Sequence, residues 1–405
     1  MILPVSTAAA IAIVLGLLST RSHAAPVDQP QLCAAAIASI DASVAKTMAQ
    51  GSPGMTVAVA YQGRPLFSRS YGIANLEYGA PVTAGTVFQL ASITKQFTAA
   101  AVLLLVEDGK LALEDKLSLH VPELPQADRV TLYQLLVQTS GLPDYADDPS
   151  GSKSKSVARS REEMVAWIGR LQPSFVFEPG SSWAYSNSNY VLLGLVVERV
   201  SGGSLDEFFQ QRLFATAGLT HTAFDDPADV VPQRAQGYRR SKTVPAGFIN
   251  AAWISPTMPG PAGGLRTTAD DLVRWSDALF AGRVLSTKSL ETMTSAGLMN
   301  DGRTTKSGMP EAWQKGLDSD YGMGVFITNR GGRRKIWHSG NIDGFATWLG
   351  HYPESGITIA LMENSESADL GSDVIEEAVF AGASGAAGSH PFCAHQQRTV
   401  SQRPQ

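Results

Sequence analysis

Strand-like periodicity is confined to the two ends of this chain. Met55–Tyr61 and Pro65–Tyr71 read as strands, and Gln62-Gly63-Arg64 between them supplies hairpin turn chemistry. After about Tyr321, short segments rich in β-branched and aromatic residues return at Gly322–Thr328, Lys335–His338, Phe345–Tyr352 and Ile357–Met362. Between these ends, from about Val87 to Ser295, the pattern is mostly helical, with candidate helices near 92–107, 131–138, 160–171, 187–201, 204–217 and 268–281. Two polar loops interrupt it, near 143–160 and 225–246. Leu32, Ile37, Ile40, Val44 and Met48 predict an opening helix within 31–50, and 370–382 reads as a closing one. Strands on either side of a long helical stretch share one sheet only if the chain ends meet. The order therefore predicts an α+β fold: an antiparallel sheet built from both chain ends, covered by helices, with a large helical lobe inserted. The sheet lobe is expected over about 31–86 and 310–395 and the helical lobe over about 87–309, as one domain from 31 to 395.

Hydrophobic residues make up 44% of the 405 and charged residues 17%, a balance that buries a core and excludes disorder. A net charge of −5 gives no basic footprint for nucleic acid. The Lys153/Lys155, Arg239–Lys242 and Arg333–Lys335 groups are the densest positive clusters, and the first two read as solvated loops. Ala8–Leu18 is an apolar run followed by small residues at Ser22 and Ala24, which predicts a signal peptide over 1–24 cleaved after Ala24. The run is short for a membrane span of about 20 residues. No Lys or Arg precedes it, so an uncleaved anchor is the alternative. Either way the protein is expected to be exported, periplasmic or secreted. Two cysteines, Cys33 and Cys393, are not spaced for a metal site, and no metal or cofactor is expected.

The chemistry concentrates in three places. Ser92 lies in Gln-Leu-Ala-Ser92-Ile-Thr-Lys95, at the start of a strongly apolar helix ending at Asp108-Gly109. A serine in a helix's first turn sits at the positive end of its dipole, which favours an alkoxide. Lys95 shares its face, and apolar neighbours weaken a lysine's hold on its proton. Ser-x-x-Lys also occurs at Ser43/Lys46, Ser150/Lys153 and Ser152/Lys155, but there without a helix start to orient the pair. Taken alone, Ser92 and Lys95 read as a capping serine and a snorkelling lysine. The second place is Tyr185-Ser186-Asn187, the chain's one Tyr-x-Asn, just before the apolar helix 190–200. The third is His338-Ser339-Gly340-Asn341, closing a strand, where glycine lets a substrate backbone approach.

These three motifs in this order resemble the serine β-lactamase and penicillin-binding protein superfamily, with its Ser-x-x-Lys, Tyr-x-Asn and Lys/His-x-Gly. The class C β-lactamase-like branch, with its D-Ala-D-Ala carboxypeptidase, D-aminopeptidase and esterase relatives, is the best match. The resemblance runs from about 40 to 380 and includes Gln134–Leu142 and Pro261–Asp270. It implies a β-lactamase/transpeptidase-like fold and an acyl-enzyme on Ser92, with Lys95 as base partner and Tyr185 as proton shuttle. Asn187, His338, Ser339 and Gly340 would bind substrate, and the backbone N–H groups of Ser92 and Asn341 would form the oxyanion hole, which contributes about 3–4 kcal/mol. The family's fold sets its first and last helices side by side, which implies a Cys33–Cys393 disulfide. His338 replaces the lysine of most class C lactamases and is largely neutral at pH 7. Gln138 stands where many relatives carry histidine.

The favoured reading is an amide- or ester-cleaving serine hydrolase, of the D-Ala-D-Ala carboxypeptidase or D-amino-acid peptidase type, acting on a small-molecule, peptide or peptidoglycan-like substrate. A β-lactamase, a small-ester esterase and a non-turnover penicillin-binding sensor are the alternatives, and β-lactam acylation is compatible with all three motifs. Trp183, Trp253, Trp337 and Trp348 lie near the motifs, either lining the cleft or packed in the core.

Overall fold

The computed structural model describes residues 32–48, 51–149, 155–330, 332–366 and 370–381. The predicted signal segment 1–24 and Cys393 lie outside them.

Alternation along the strands decides what covers each face of the sheet. In β1 (Met55–Tyr61), Val57 and Val59 point to one hydrophobic cluster, and Ala58 and Ala60 to another. β2 is Arg64–Tyr71, reached through Gln62 and Gly63, both with positive φ as a tight primed hairpin turn requires. The C-terminal half adds β3 (Asp320–Tyr321), β4 (Phe326–Arg330), β5 (Arg333–Ile342), β6 (Phe345–Tyr352) and β7 (Ile357–Glu363). Together they form one antiparallel sheet in the order β3-β4-β5-β6-β7-β1-β2. β1 pairs with β7 from Met55↔Glu363 to Tyr61↔Ile357, so the early and late strand-forming stretches join inside the sheet.

Helices α1 (Ala34–Thr47) and α5 (Ser372–Ala381) cover the face carrying Val57, Val59, Ile359 and Leu361. The other face carries Ala58, Ala60 and Ala360 and receives the helical lobe. That lobe is organised by α2 (Thr94–Glu107), α3 (Asn187–Ser201) and α4 (Ala269–Phe280). Every residue of α2 from Thr94 to Leu105 is buried, so it is the axis of the lobe rather than an amphipathic surface helix.

Two elements beside the site differ from expectation. β5 runs four residues past His338, through Gly340, because that glycine is a point of close approach and does not end the strand. A Cβ at Gly340 would lie 2.5 Å from the Leu90 carbonyl oxygen and 2.3 Å from Thr347 Oγ1. Gly322–Thr328, expected as one strand, is strand only from Phe326 onward; residues 322–325 are a turn between β3 and β4, with Gly324 against the Lys95 carbonyl at φ +75°.

Candidate active site

The turn before α2 is tied down on all sides. Leu90 donates its N–H to Leu265 O at 2.8 Å and accepts Thr347 Oγ1 at 2.8 Å. Thr94 Oγ1 caps Ala91 O at 2.7 Å. Ala91 is left with φ +51°, a left-handed conformation that a non-glycine residue holds only when its surroundings impose it. Ser92 therefore lies in a 3-10 turn, Ala91–Ile93, just ahead of the α-helix, and not within its first α-turn as the sequence suggests.

Lys95 follows on the same face and is wholly buried. Its Nζ donates to Ser92 Oγ at 3.2 Å, Asn187 Oδ1 at 2.8 Å and Ala262 O at 2.7 Å. Burial pulls its pKa from 10.5 down to about 7, with the nearby Asp144 carboxylate pulling the other way. A large fraction of Lys95 is thus neutral near pH 7, with a lone pair able to accept the Ser92 proton.

Asn187, the first residue of α3, links two groups: its Oδ1 takes Lys95 and its Nδ2 donates to Asp144 Oδ2 at 2.8 Å. Asp144 is itself pushed upward by burial. Tyr185 lies two residues earlier, with Lys95 Nζ 4.7 Å from its ring centre. Burial drives the Tyr185 pKa well above the ordinary tyrosine range, the neighbouring Tyr321 adds to the push, and the Ser92 hydroxyl pulls against it. Tyr185 is therefore a protonated donor, and Lys95 is the group with a base's pKa.

Gln138 holds the chain on both sides of Tyr185. Its main-chain oxygen accepts Ala184 N–H at 3.2 Å, and its Oε1 accepts Ser186 N–H at 3.1 Å and Asn189 Nδ2 at 2.5 Å. Its own φ is +65°. Nothing in the sequence beyond its place in Gln134–Leu142 marks this function.

The third motif splits by strand alternation. His338 and Gly340 point inward, and Ser339 and Asn341 are exposed on the opposite side. β4 pairs with β5 only as far as Phe326↔Trp337, which frees the outer edge of β5 from His338 onward. His338 is 2% exposed and touches tyrosines rather than the cleft: its ring centre is 6.1 Å from Tyr185, and its Nε2 is 3.4 Å from the Tyr321 hydroxyl. Its Nδ1 lies 2.5 Å from Ser339 O, which can only accept. The proton therefore sits on Nδ1, and Nε2 accepts from Tyr321. Burial, helped by the Lys95 charge, pulls the His338 pKa down to about 3. The expected role as a substrate-binding side chain does not follow from this placement; His338 is a neutral support behind Tyr185.

A cavity of about 320 Å³ is lined by Ser92, Asn187 and Asn341. Its walls come from Tyr145, Trp167, Ile254, Met258 and Ile342, with Lys155 and Asp343 also lining it; Tyr145, Lys155, Ile254 and Met258 fall in the stretches 143–160 and 225–260, where loops shaping the cleft are expected, whereas Trp167, Ile342 and Asp343 lie outside them. Lys155, expected on a solvated loop, pairs instead with Asp343. Of the four tryptophans, Trp183, Trp337 and Trp348 are core residues, whereas Trp253 is exposed and lines an adjoining cavity. Among the described residues no His, Cys, Asp and Glu group has the makings of a metal site.

Comparison with known proteins bears on family and fold. A family model described as Beta-lactamase matches residues 40–381. Penicillin-binding protein 4* of Bacillus subtilis (strain 168) is 29% identical over 323 residues, 77% of this chain and 68% of that protein. Protein flp of Staphylococcus aureus (strain N315) is 26% identical over 78% of this chain, which spans 60% of that protein's length. The crystal structure of D-amino acid amidase from Ochrobactrum anthropi SV3, complexed with L-phenylalanine amide, superposes with a TM-score of 0.72. It is 26% identical and covers 86% of this chain and 99% of its own.

Proposed function

The chain belongs to the beta-lactamase family of serine hydrolases, and from that premise we propose that it cleaves an amide or ester of a D-amino-acid-derived substrate through an acyl-enzyme on Ser92. The observation that carries this reading is Lys95: wholly buried, pulled down to about 7, and within hydrogen-bond reach of Ser92 Oγ.

In acylation, Ser92 Oγ attacks the carbonyl carbon while neutral Lys95 takes its proton. The backbone N–H groups of Ser92 and Asn341 hold the oxyanion. Tyr185 gives its proton to the leaving nitrogen or oxygen and recovers one from Lys95. In deacylation a water attacks the ester carbonyl, the same groups remove its proton, and Ser92 is released with a proton on Oγ. No step needs a metal or cofactor. The neutral, buried His338 weakens the carboxylate anchor that a β-lactamase or D-Ala-D-Ala carboxypeptidase uses, so the amidase and aminopeptidase side of the family is favoured.

The test is intact-mass measurement over time with a fluorescent penicillin and with p-nitrophenyl esters, beside Ser92→Ala. A Ser92-dependent adduct or turnover supports the reading. Turnover that survives in Ser92→Ala overturns it.

Two further parts of the proposal concern the ends of the chain. Export with cleavage after Ala24 is tested by the N-terminal sequence of the secreted protein. The Cys33–Cys393 disulfide would contribute roughly 4–5 kcal/mol on the entropic account. Non-reducing peptide mapping that finds both thiols free would reject it.

A further inference from the structure

The Tyr185 hydroxyl is shielded from solvent, yet no hydrogen bond of ordinary geometry fixes it among the described residues. Its place is therefore set by what packs on the ring. Trp183, Tyr321 and His338 lie with ring centres 6.5, 6.3 and 6.1 Å from that of Tyr185, and all three are buried. Lys95 Nζ stands 4.7 Å from the same ring centre. A fourth ring, Trp313, stacks on Tyr185 with centres 6.0 Å apart and planes 24° apart.

Trp313 differs from the other three in where it comes from. It lies on the short helix Glu311–Leu317, none of whose residues is buried, and is itself 37% exposed. The polar groups of this helix are spent locally: Trp313 N–H donates to Pro310 O at 2.9 Å, Gln314 Nε2 donates to Met309 O at 2.7 Å, and Lys315 pairs with Glu311. What the helix gives to the body of the protein is the indole, which also meets Trp183 at 5.2 Å and Phe326 at 6.4 Å, and Leu317, which packs on the outer cluster of the sheet. A large apolar side chain held partly in water on an otherwise polar helix is informative in a way that a buried one is not. Leu317 and Asp318 also line a cavity of about 850 Å³ that reaches Ser339 and Asn341 of β5, so the helix borders open space. Taking the indole away uncovers one side of the Tyr185 ring.

We infer that Trp313 is a positioning residue that acts through Tyr185: its indole, stacked on the phenol ring, holds the hydroxyl where its proton passes to the leaving group. The indole itself gives and takes no proton. This rests on acyl transfer at Ser92 with Tyr185 as the donor, and the experiment separates the two. The consequence is selective. A p-nitrophenolate departs as a stable anion and needs no proton, whereas an amide nitrogen cannot leave without one. Loss of Trp313 therefore penalises amides and spares activated esters, a split that a general loosening of the fold does not produce.

The measurement is kcat/KM, which reports acylation, for D-phenylalanine amide and D-phenylalanine p-nitrophenyl ester, two substrates with one acyl group. The wild-type protein, Trp313→Ala, Trp313→Leu and Trp313→Phe are compared. Trp313→Ala is expected to lower the amide value by about tenfold to a hundredfold, the scale of a misplaced catalytic group, and to leave the ester value within about threefold. Trp313→Phe puts a ring back on Tyr185 and keeps the amide within about threefold of wild type. Trp313→Leu keeps an apolar side chain that cannot stack, so it follows Trp313→Ala and decides the matter if that variant does not fold. Equal losses on the two substrates overturn the inference, because Trp313 would then be only a structural prop. So does no loss on either, or a Trp313→Phe enzyme as poor on the amide as Trp313→Leu. Turnover that survives Ser92→Ala removes acyl transfer at Ser92 instead. If Tyr185→Phe costs amide and ester alike, the donor assignment falls, and the inference with it.

Discussion

Lys95 and Lys155 both reach the space around Ser92, one from the floor of the cleft and one from its rim. Lys95 is wholly buried, makes three hydrogen bonds, and is stripped of much of its charge near neutral pH. Lys155 is about one-third exposed on its side chain and has one carboxylate partner. The floor is built from groups whose backbone is pinned by distant segments: Leu90 by Leu265 and Thr347, and the flanks of Tyr185 by Gln138. The rim is built from loop residues and a hairpin turn. A fixed floor sets a pKa and a line of attack, and an adjustable rim sets which acyl group is presented to them.

The sharpest way to break this contrast is at the floor. Ser92→Ala and Lys95→Met should each lower kcat/KM by at least about 10³-fold, the scale seen when members of a catalytic unit are removed. Single-turnover kinetics with an activated ester checks this, and a Lys95→Met enzyme with near-normal rates would dissolve the distinction between the two lysines. Gly340→Ala comes next. Its methyl would meet Thr347 Oγ1 at 2.3 Å, the Leu90 carbonyl oxygen at 2.5 Å and Ala91 Cβ at 3.0 Å, so the Ser92 turn or β5 must shift. About 10²-fold in kcat, with a loss of about 1–3 kcal/mol in denaturant stability, is expected.

The pH profile sharpens the contrast without a large loss of rate. Lys95 must be neutral to accept a proton, so kcat/KM should rise through about pH 7 and stay level while Tyr185, held well above its usual range, keeps its proton. Lys155→Met should leave that midpoint within about 0.3 of a pH unit, because the rim residue is not among the groups that shift Lys95. A midpoint that moves further would couple rim to floor.

Stability should respond to acid through a different pair. His338 and His351 are buried and both pulled from 6.5 to about 3. The unfolded chain binds their protons first, so each makes folding less favourable as pH falls from about 6.5 towards 3, by up to about 1.4 kcal/mol per pH unit. His351 stacks on Phe280 at 3.8 Å far from Ser92, and His351→Phe should flatten this slope in urea titrations while leaving the pH–rate midpoint alone. The smallest effect belongs to the surface: Lys315 pairs with Glu311 with both side chains about three-quarters exposed, and Lys315→Ala should change urea stability by no more than about 0.5 kcal/mol.

Much of the floor was readable in the sequence because its residues come in short runs. Ser92 and Lys95 are three apart, Tyr185 and Asn187 two, and the apolar helices beside them announce themselves by period. The sheet was readable from short runs as well: β1 and β6 begin and end where the sequence places them, β6 from its β-branched and aromatic residues. The rim was not readable. Lys155, Trp167, Met258 and Asp343 reach one cavity from four separate stretches of chain; the loops carrying Lys155 and Met258 were expected near the cleft, but nothing in the sequence singles out these four side chains. Lys155 even sits in a chance Ser-x-x-Lys. Burial was also hidden: His338 and Ser339 are adjacent, yet one is shielded by Tyr321 and Tyr185 and the other is open to solvent, a difference set by strand phase. Gly340 was read correctly as a site of close approach, but what approaches it is the protein's own Leu90.

The bond from Thr347 to Leu90 spans 257 residues of sequence, and it holds the turn that aims the nucleophile. Ser92 and Lys95 leave a ribosome long before the strand that completes their setting. Contacts of such long range form late. A nascent or truncated chain ending before β6 thus carries the whole Ser-x-x-Lys signature without the strand that aims it.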